Sequence, residues 1–280
     1  MAGDVVAILL PVLVAAVVVA GVVAAVVAAR RRRAWLLPAA SALVMGVVTV
    51  TGPWLPADDG TVTPGAAVTV GAANVMGVGT PGAALLAARP DVLVVSEYTP
   101  ALALDYPYRE TGLGGPGVAV FSRFPIRRLE GPGPALPGLR VQVDAPAGPF
   151  VVYGLHVPRP WLTDEGGYQA TVAEHHAIMT ALAARIAAEP GPVVVAGDLN
   201  SSDRGRDYRL LVGPTQHVDA ARAGAVSYTS TGKWLPLLLR IDHLLVGPGW
   251  CGEGARQIGL PGSDHRGVTA TVGPCVGSAS

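Results

Sequence analysis

Val193-Val194-Val195-Ala196-Gly197-Asp198-Leu199-Asn200 is a run of four apolar residues that stops at a glycine, a carboxylate and a carboxamide. Four apolar residues with no polar alternation fit a strand covered on both faces. Asp198 and Asn200, taken alone, fit a turn after that strand, because Asx side chains bond the backbone two residues on. The same ending recurs along the chain, and a turn explains it only one strand at a time.

Val68–Ala73 runs into Asn74, and Val92–Val95 into Ser96-Glu97. Phe150–Leu155 ends at His156, Arg240-Ile241 leads to Asp242-His243, and Ser263-Asp264-His265 precedes the strand Val268–Val272. Singly, Asn74 reads equally as a turn residue, His156 as a satisfied core histidine, and Asp264-His265 as a loop cap. Glu97 is harder to set aside, since a buried carboxylate without partners is costly. Residues at strand ends converge on one rim of a sheet, where sites are built. Two further strands, Gly117–Phe121 and Leu139–Val143, make eight named of about nine expected, with helices at Pro81–Ala88 and Tyr168–Ala188. Glycine and proline together make 61 of 280 residues, below the roughly 25–30% typical of disorder.

In series, Asn74, the Glu97 strand end, Gly115-Pro116-Gly117-Val118-Ala119-Val120-Phe121-Ser122-Arg123-Phe124-Pro125-Ile126, Leu155-His156-Val157-Pro158, Gly197-Asp198-Leu199-Asn200, Arg240-Ile241-Asp242-His243 and Ser263-Asp264-His265 resemble the endonuclease/exonuclease/phosphatase superfamily. That superfamily includes DNase I-like nucleases, inositol phosphatases and sphingomyelinases. The last three blocks in order are the most specific, and Ser96-Glu97 departs from the more usual Gln-Glu. The resemblance covers about Val68 to Val272 and implies an α+β fold. It would be a four-layered α/β sandwich of two packed, mostly antiparallel sheets flanked by helices.

The resemblance also implies roles. Glu97 would bind Mg²⁺ (or Mn²⁺), with Asn74 and Asp264 completing its surroundings, a set of oxygen donors that suits a hard cation. Asp198 would orient or deprotonate the attacking water, and Asn200 would hold the phosphate or the nucleophile. His265 would stabilise charge on phosphoryl oxygens, its tautomer fixed by Asp242, and His156 would donate to a non-bridging oxygen. Tyr108, or failing it Tyr106, is the candidate substrate-binding tyrosine. Glu174-His175-His176 lacks the i, i+4 spacing of a helical metal site, so those histidines are read as solvated or as helix packing.

The charge deficit of the chain, 14% against the roughly 25% usual for soluble domains, is concentrated before Asp58. Val5–Ala29 carries no charge, Arg30–Arg33 follow, and a second apolar run extends from Ala34 to Leu55 with Trp35 and Trp54 near its ends. The basic cluster follows the apolar run, which opposes a cleaved signal peptide. The run lengths, the tryptophans and the positive-inside rule predict a transmembrane hairpin, helices at about 5–29 and 34–55 with the arginines cytoplasmic. Residues 1–56 would then be a multi-pass anchor and 57–65 a linker. Residues 66–273 would be an extracytoplasmic domain and 274–280 a tail. The layout is similar to a membrane-anchored actinobacterial branch of the superfamily. Cys251 and Cys275 fit a disulfide or two unrelated thiols equally well.

Without Asp4 and Arg30–Arg33 the chain keeps 16 of its 20 basic and 19 of its 20 acidic residues, a net charge of −3. Such a balance disfavours non-specific nucleic-acid binding, which rests on cationic contacts to phosphates. The leading expectation is a Mg²⁺-dependent hydrolase of a lipid-linked phosphate or pyrophosphate, or of a phospholipid head group. A cell-surface nuclease is the second expectation and a catalytically inactive surface module the third. Trp234–Leu239 reads either as a lipid contact or as a buried strand continuing into Ile241. No protein partner is predicted.

Overall fold

The computed structural model describes residue 9 and residues 12–23, 36–57, 60–112, 114–115, 117–146, 148–213, 215–224, 226–231 and 238–277. Two six-stranded sheets face each other. The first has the order β13(Trp250–Gly259)–β14(Arg266–Pro274)–β1(Val68–Asn74)–β2(Val92–Ser96)–β4(Val118–Ser122)–β3(Tyr108–Gly112). The second runs β11(Val218–Asp219)–β12(Asp242–Val246)–β10(Val193–Asp198)–β7(Gly148–His156)–β6(Gly138–Ala145)–β5(Ile126–Glu130). Each is mixed: β1 pairs parallel with β2, β7 parallel with β10, and the remaining pairs are antiparallel.

Burial follows from the apolar content of the central strands. Val70, Val92, Val94, Val152, Val194, Leu244 and Val268 fill the space between the sheets. Residues of opposite parity on those strands face outward and are covered by helices. On the second sheet Val193, Val195 and Leu245 meet Met179, Leu182 and Ile186 of the helix Val172–Ala187, and Leu211 of the helix Arg206–Val212. On the first sheet Leu93 and Val95 meet Leu85 of the helix Gly82–Ala88. The strands therefore read as continuous apolar runs because both faces are covered. This is the sandwich arrangement of sheets between helices.

The helix expected from Tyr168 starts at Val172, where Thr171 and Glu174 form a capping box. Residues 159–171 instead form a strap in which the short strand β8(Arg159–Trp161) pairs parallel with β9(Gln169–Thr171).

The predicted transmembrane hairpin is corrected. Among the described residues no helix is long and apolar enough to cross a membrane. Among the described residues the second apolar run is helical over Leu36–Thr51, which is 16 residues, and tightens into a 3₁₀ turn at Gly52–Trp54. At about 1.5 Å per residue it reaches about 24 Å, short of a bilayer core of about 30 Å. Pro53 opposes continuation. Trp54 does not serve as a belt residue: its ring packs 6.3 Å from Tyr228, with the Arg204 guanidinium 5.0 Å from its centroid. Of the first run, residues 12–23 are helical, while Arg30–Arg33 lie outside the described residues. The multi-pass and extracytoplasmic expectations fall with the hairpin. Residues 232–237, most of Trp234–Leu239, also lie outside the described residues. Cys251 and Cys275 are paired in a disulfide.

Candidate active site

The register of the sheets carries the polar strand ends to one rim. Asp198 stands opposite His156 on one side and Asp242 on the other, and Asn74 opposite Ser96. β12 and β14 run antiparallel to their neighbours, so their first residues, Asp242 and Arg266, reach the same rim where β1, β7 and β10 end. Close approach of β10 to β7 depends on Gly197. Its φ is +128°, and a Cβ there would lie 2.0 Å from the Leu155 carbonyl oxygen. No other residue fits.

Asn74 is wholly buried, and its amide nitrogen donates to Glu97 Oε1 at 3.0 Å and to Asp198 Oδ2 at 2.9 Å. Its oxygen accepts the Met76 N–H at 2.9 Å. Asn74 thus braces two carboxylates across the two sheets and has spent its oxygen on its own turn. Glu97 adopts φ +50° and keeps a side chain 42% exposed. A left-handed glutamate at a strand end is an uncommon backbone state, of the kind found at sites held by their surroundings. Asn200 shares it, at φ +46°. The Asn200 N–H donates to Asp198 Oδ1 at 2.9 Å, and its amide nitrogen donates to the Val157 carbonyl, tying the ends of β10 and β7.

His265 Nδ1 lies 2.7 Å from Asp242 Oδ2, and its Nε2 lies 3.9 Å from Asp198 Oδ2 and 3.7 Å from Asp264 Oδ1. Burial works against charge on this imidazole. The charge and hydrogen bond of Asp242 outweigh it, with Asp198 and Asp264 adding to them, and the pKa is raised to about 10. Asp198 is pushed above the ordinary carboxylate range by burial first and by the Asp242 charge second, against the pull of His265, His156 and Asn74. His156 Nε2 lies 3.9 Å from Glu97 Oε1.

Glu97, Asp198, Asp242 and Asp264 face two imidazoles, so the rim carries surplus negative charge. The cation fit has two readings. The nearest cluster of ligand atoms is Asp198, Asp242 and His265, all within 4.8 Å of one another. His265 ligates only as the neutral imidazole, which its raised pKa disfavours. The oxygens of Glu97 and Asp264, partly open to solvent, suit a hard cation that keeps several waters. Glu97, held by Asn74, therefore offers an oxygen donor that fits a divalent cation. Asp242 Oδ1, buried and without a hydrogen-bond partner among the described residues, adds to the negative field.

Tyr108 is not brought to this rim. It pairs with Ser122, which pairs with Val92 at the opposite end of the sheet, while Gly112 marks the near end of β3. Tyr106 packs on Phe121, and its hydroxyl donates to the Pro90 carbonyl. Three residues passed over in the sequence do belong to the site. Ser96 Oγ donates to the Leu155 carbonyl and accepts the Asp198 N–H, joining the two sheets. Thr229 Oγ1 accepts the N–H groups of Ile241 and Asp242. Tyr168 lays its ring 4.7 Å from that of His156 and donates its hydroxyl to the His156 carbonyl at 2.9 Å. Ser96 carried a signal, a hydroxyl ending an apolar strand. Nothing near Thr229 or Tyr168 in sequence announces their partners.

The family model for the endonuclease/exonuclease/phosphatase family matches residues 74–265, the span from Asn74 to His265. The chain belongs to that family. Members of this family are phosphoesterases or nucleases, and the chain is a phosphoester hydrolase in that general sense. Similar solved structures include an endonuclease/exonuclease/phosphatase protein of Beutenbergia cavernae, at 19% identity and TM-score 0.54, covering 75% of this chain and 72% of that one. Sphingomyelinase C of Streptomyces griseocarneus aligns at 18% identity and TM-score 0.52, over 75% and 99% of the two chains. A mannosyl-6-phosphatase of Bacteroides thetaiotaomicron aligns at 14% and 0.50, over 73% and 99%. At these identities the likeness is one of fold. No curated protein matches the chain.

Proposed function

We propose that the protein is a Mg²⁺-dependent phosphoester hydrolase whose substrate joins a phosphate or pyrophosphate to an apolar group, as a lipid-linked phosphate does. The observation that carries the hydrolase reading is the buried Asp198 carboxylate, held by Asn74 and faced by the His265 cation on its Asp242 support.

When bound, the cation would polarise a phosphoryl oxygen and offset its developing charge. Glu97 and Asp264 would hold it. Asp198, with a raised pKa and one oxygen directed by Asn74, orients the attacking water and takes its proton. His265, protonated at neutral pH, donates from Nε2 to a phosphoryl oxygen, while Asp242 keeps Nδ1–H occupied. His156, steadied by Tyr168, donates to a second oxygen, and Asn200 lines the same turn. Phosphoryl transfer asks mainly for positioning and charge neutralisation, which these groups supply.

The apolar part of the substrate is supported by the strap that leaves His156. Trp161 is 53% and Leu162 87% exposed, and Met76, two residues beyond Asn74, is 40% exposed. Large apolar side chains gathered about a polar site mark a place where apolar matter binds. The net charge outside the leader speaks against DNA. The test assays the full chain with Mg²⁺ against a lipid pyrophosphate, a water-soluble phosphodiester and plasmid DNA. Preference for the lipid ester, lost by more than about tenfold in Trp161→Ala/Leu162→Ala, supports the reading. Turnover confined to DNA sinks it.

A further inference from the structure

The helix Val172–Ala187 carries a buried histidine that the proposed chemistry does not use. His175 is 2% exposed, although it sits on the helix layer outside the second sheet. Its Nδ1 lies 2.9 Å from Asp207 Oδ2, on the helix Arg206–Val212. Its Nε2 lies 3.3 Å from the Leu199 carbonyl oxygen and 3.4 Å from Ser201 Oγ. The second oxygen of Asp207 is taken by His176 Nδ1 at 2.5 Å, with Arg206 Nε 3.3 Å away. Asp207 is thereby fixed from several sides, and its carboxyl is held below the usual range. Burial opposes this, and the hydrogen bonds of His175 and His176 outweigh it.

Leu199 is the residue between Asp198 and the left-handed Asn200. Its N–H donates to the Ile241 carbonyl, the residue before Asp242. Two residues on, the Ser201 carbonyl accepts from His243 Nε2 at 2.8 Å. These two bonds come from the neighbouring strand and leave the Leu199 carbonyl facing the helix layer. His175 supplies the group that meets it there. The peptide planes on either side of Asn200 decide where Asp198 Oδ1 and the Asn200 amide point, because the two are bonded to each other.

We propose that His175, oriented by Asp207, is a positioning residue that pins the Asp198–Leu199–Asn200 turn through the Leu199 carbonyl. It touches no reacting atom. The role needs an N–H at Nε2 besides the one Nδ1 gives to Asp207, so both ring nitrogens carry protons. A side chain placing an N–H near the Nε2 point retains the role and one reaching only Asp207 does not. His175→Gln places its amide nitrogen near the Nε2 position, and His175→Asn places its own near Nδ1.

The inference rests on the catalytic reading of Asp198 for its kinetic consequence alone. Its structural consequence is read separately, by hydrogen exchange across residues 197–203 of the full chain without metal or substrate. In His175→Asn we expect faster exchange over those residues and a kcat at least tenfold lower on a soluble phosphodiester, with KM within about twofold. His175→Gln should keep both near wild type, as should His176→Ala, which loses only an outer bond to Asp207. If His175→Asn leaves exchange and kcat unchanged, or His175→Gln falls as far as His175→Asn, the proposal is overturned. Should His175→Asn fail to fold, His175→Gln decides alone, and accelerated exchange in it overturns the proposal. A wild type with no turnover would remove the catalytic reading and leave the exchange result to judge the turn.

Discussion

His265 keeps its proton at neutral pH because a buried aspartate 2.7 Å away makes the charged form the cheaper one. A folded-state pKa of about 10, above the ordinary histidine value near 6.5, means that the charged pair stabilises the fold fully below that value. The contribution then fades as pH rises toward about 10. NMR titration of the metal-free protein should find His265 protonated through pH 8, and Asp242→Asn should bring its midpoint down. A His265 signal that titrates near 6.5 in the wild type would contradict the pairing. The stability gap between wild type and His265→Gln should likewise narrow from pH 7 to pH 10 in denaturant melts. At this scale the sequence was informative where a residue ends a strand, as with Glu97, His156 and Asp198. It was silent where a partner arrives across the sandwich. Tyr168 meets His156 only because the strap folds back, and Tyr108 misses the rim because it begins β3, whose near end is Gly112.

The central strands were legible because each is covered on both faces and so reads as an unbroken apolar run. Edge strands were not. β3 and β5 carry Arg109, Arg127 and Arg128 at positions open to solvent, and β13 is interrupted by glycines and by a register shift between Glu253 and Arg256. Gly197 shows how an element positions chemistry. Gly197→Ala must move the backbone where β10 lies against Leu155 of β7, and a loss of about 3 kcal/mol or more is expected by chemical denaturation. A loss below about 1 kcal/mol would show that the strands have room the structure does not give them. Thr171→Ala, which removes the cap of the long helix but leaves the site untouched, should cost about 1 kcal/mol with kcat unchanged. A fall in kcat there would mean that the helix end reaches the turn by a route other than His175.

Across the whole molecule, two sheets each present a parallel pair of strands to a common rim, and polar residues from both halves meet there. The C-terminal segment is closed by Cys251–Cys275, spanning 24 residues. Its removal by Cys251→Ser/Cys275→Ser should lower stability by about 3 kcal/mol through the released chain entropy, read as a lower denaturation midpoint. The apolar leader shows the limit of composition as a guide. Residues 36–51 are apolar enough to resemble a membrane span and still end too early to make one. One measurement tests hydrolysis directly: release of phosphate or alcohol from a soluble phosphodiester by the full chain, with Mg²⁺ and with chelator. Turnover with Mg²⁺ that vanishes with chelator, and falls by about a thousandfold or more in Asp198→Asn, is the predicted result. Equal turnover by wild type and Asp198→Asn, or none by either, would contradict it.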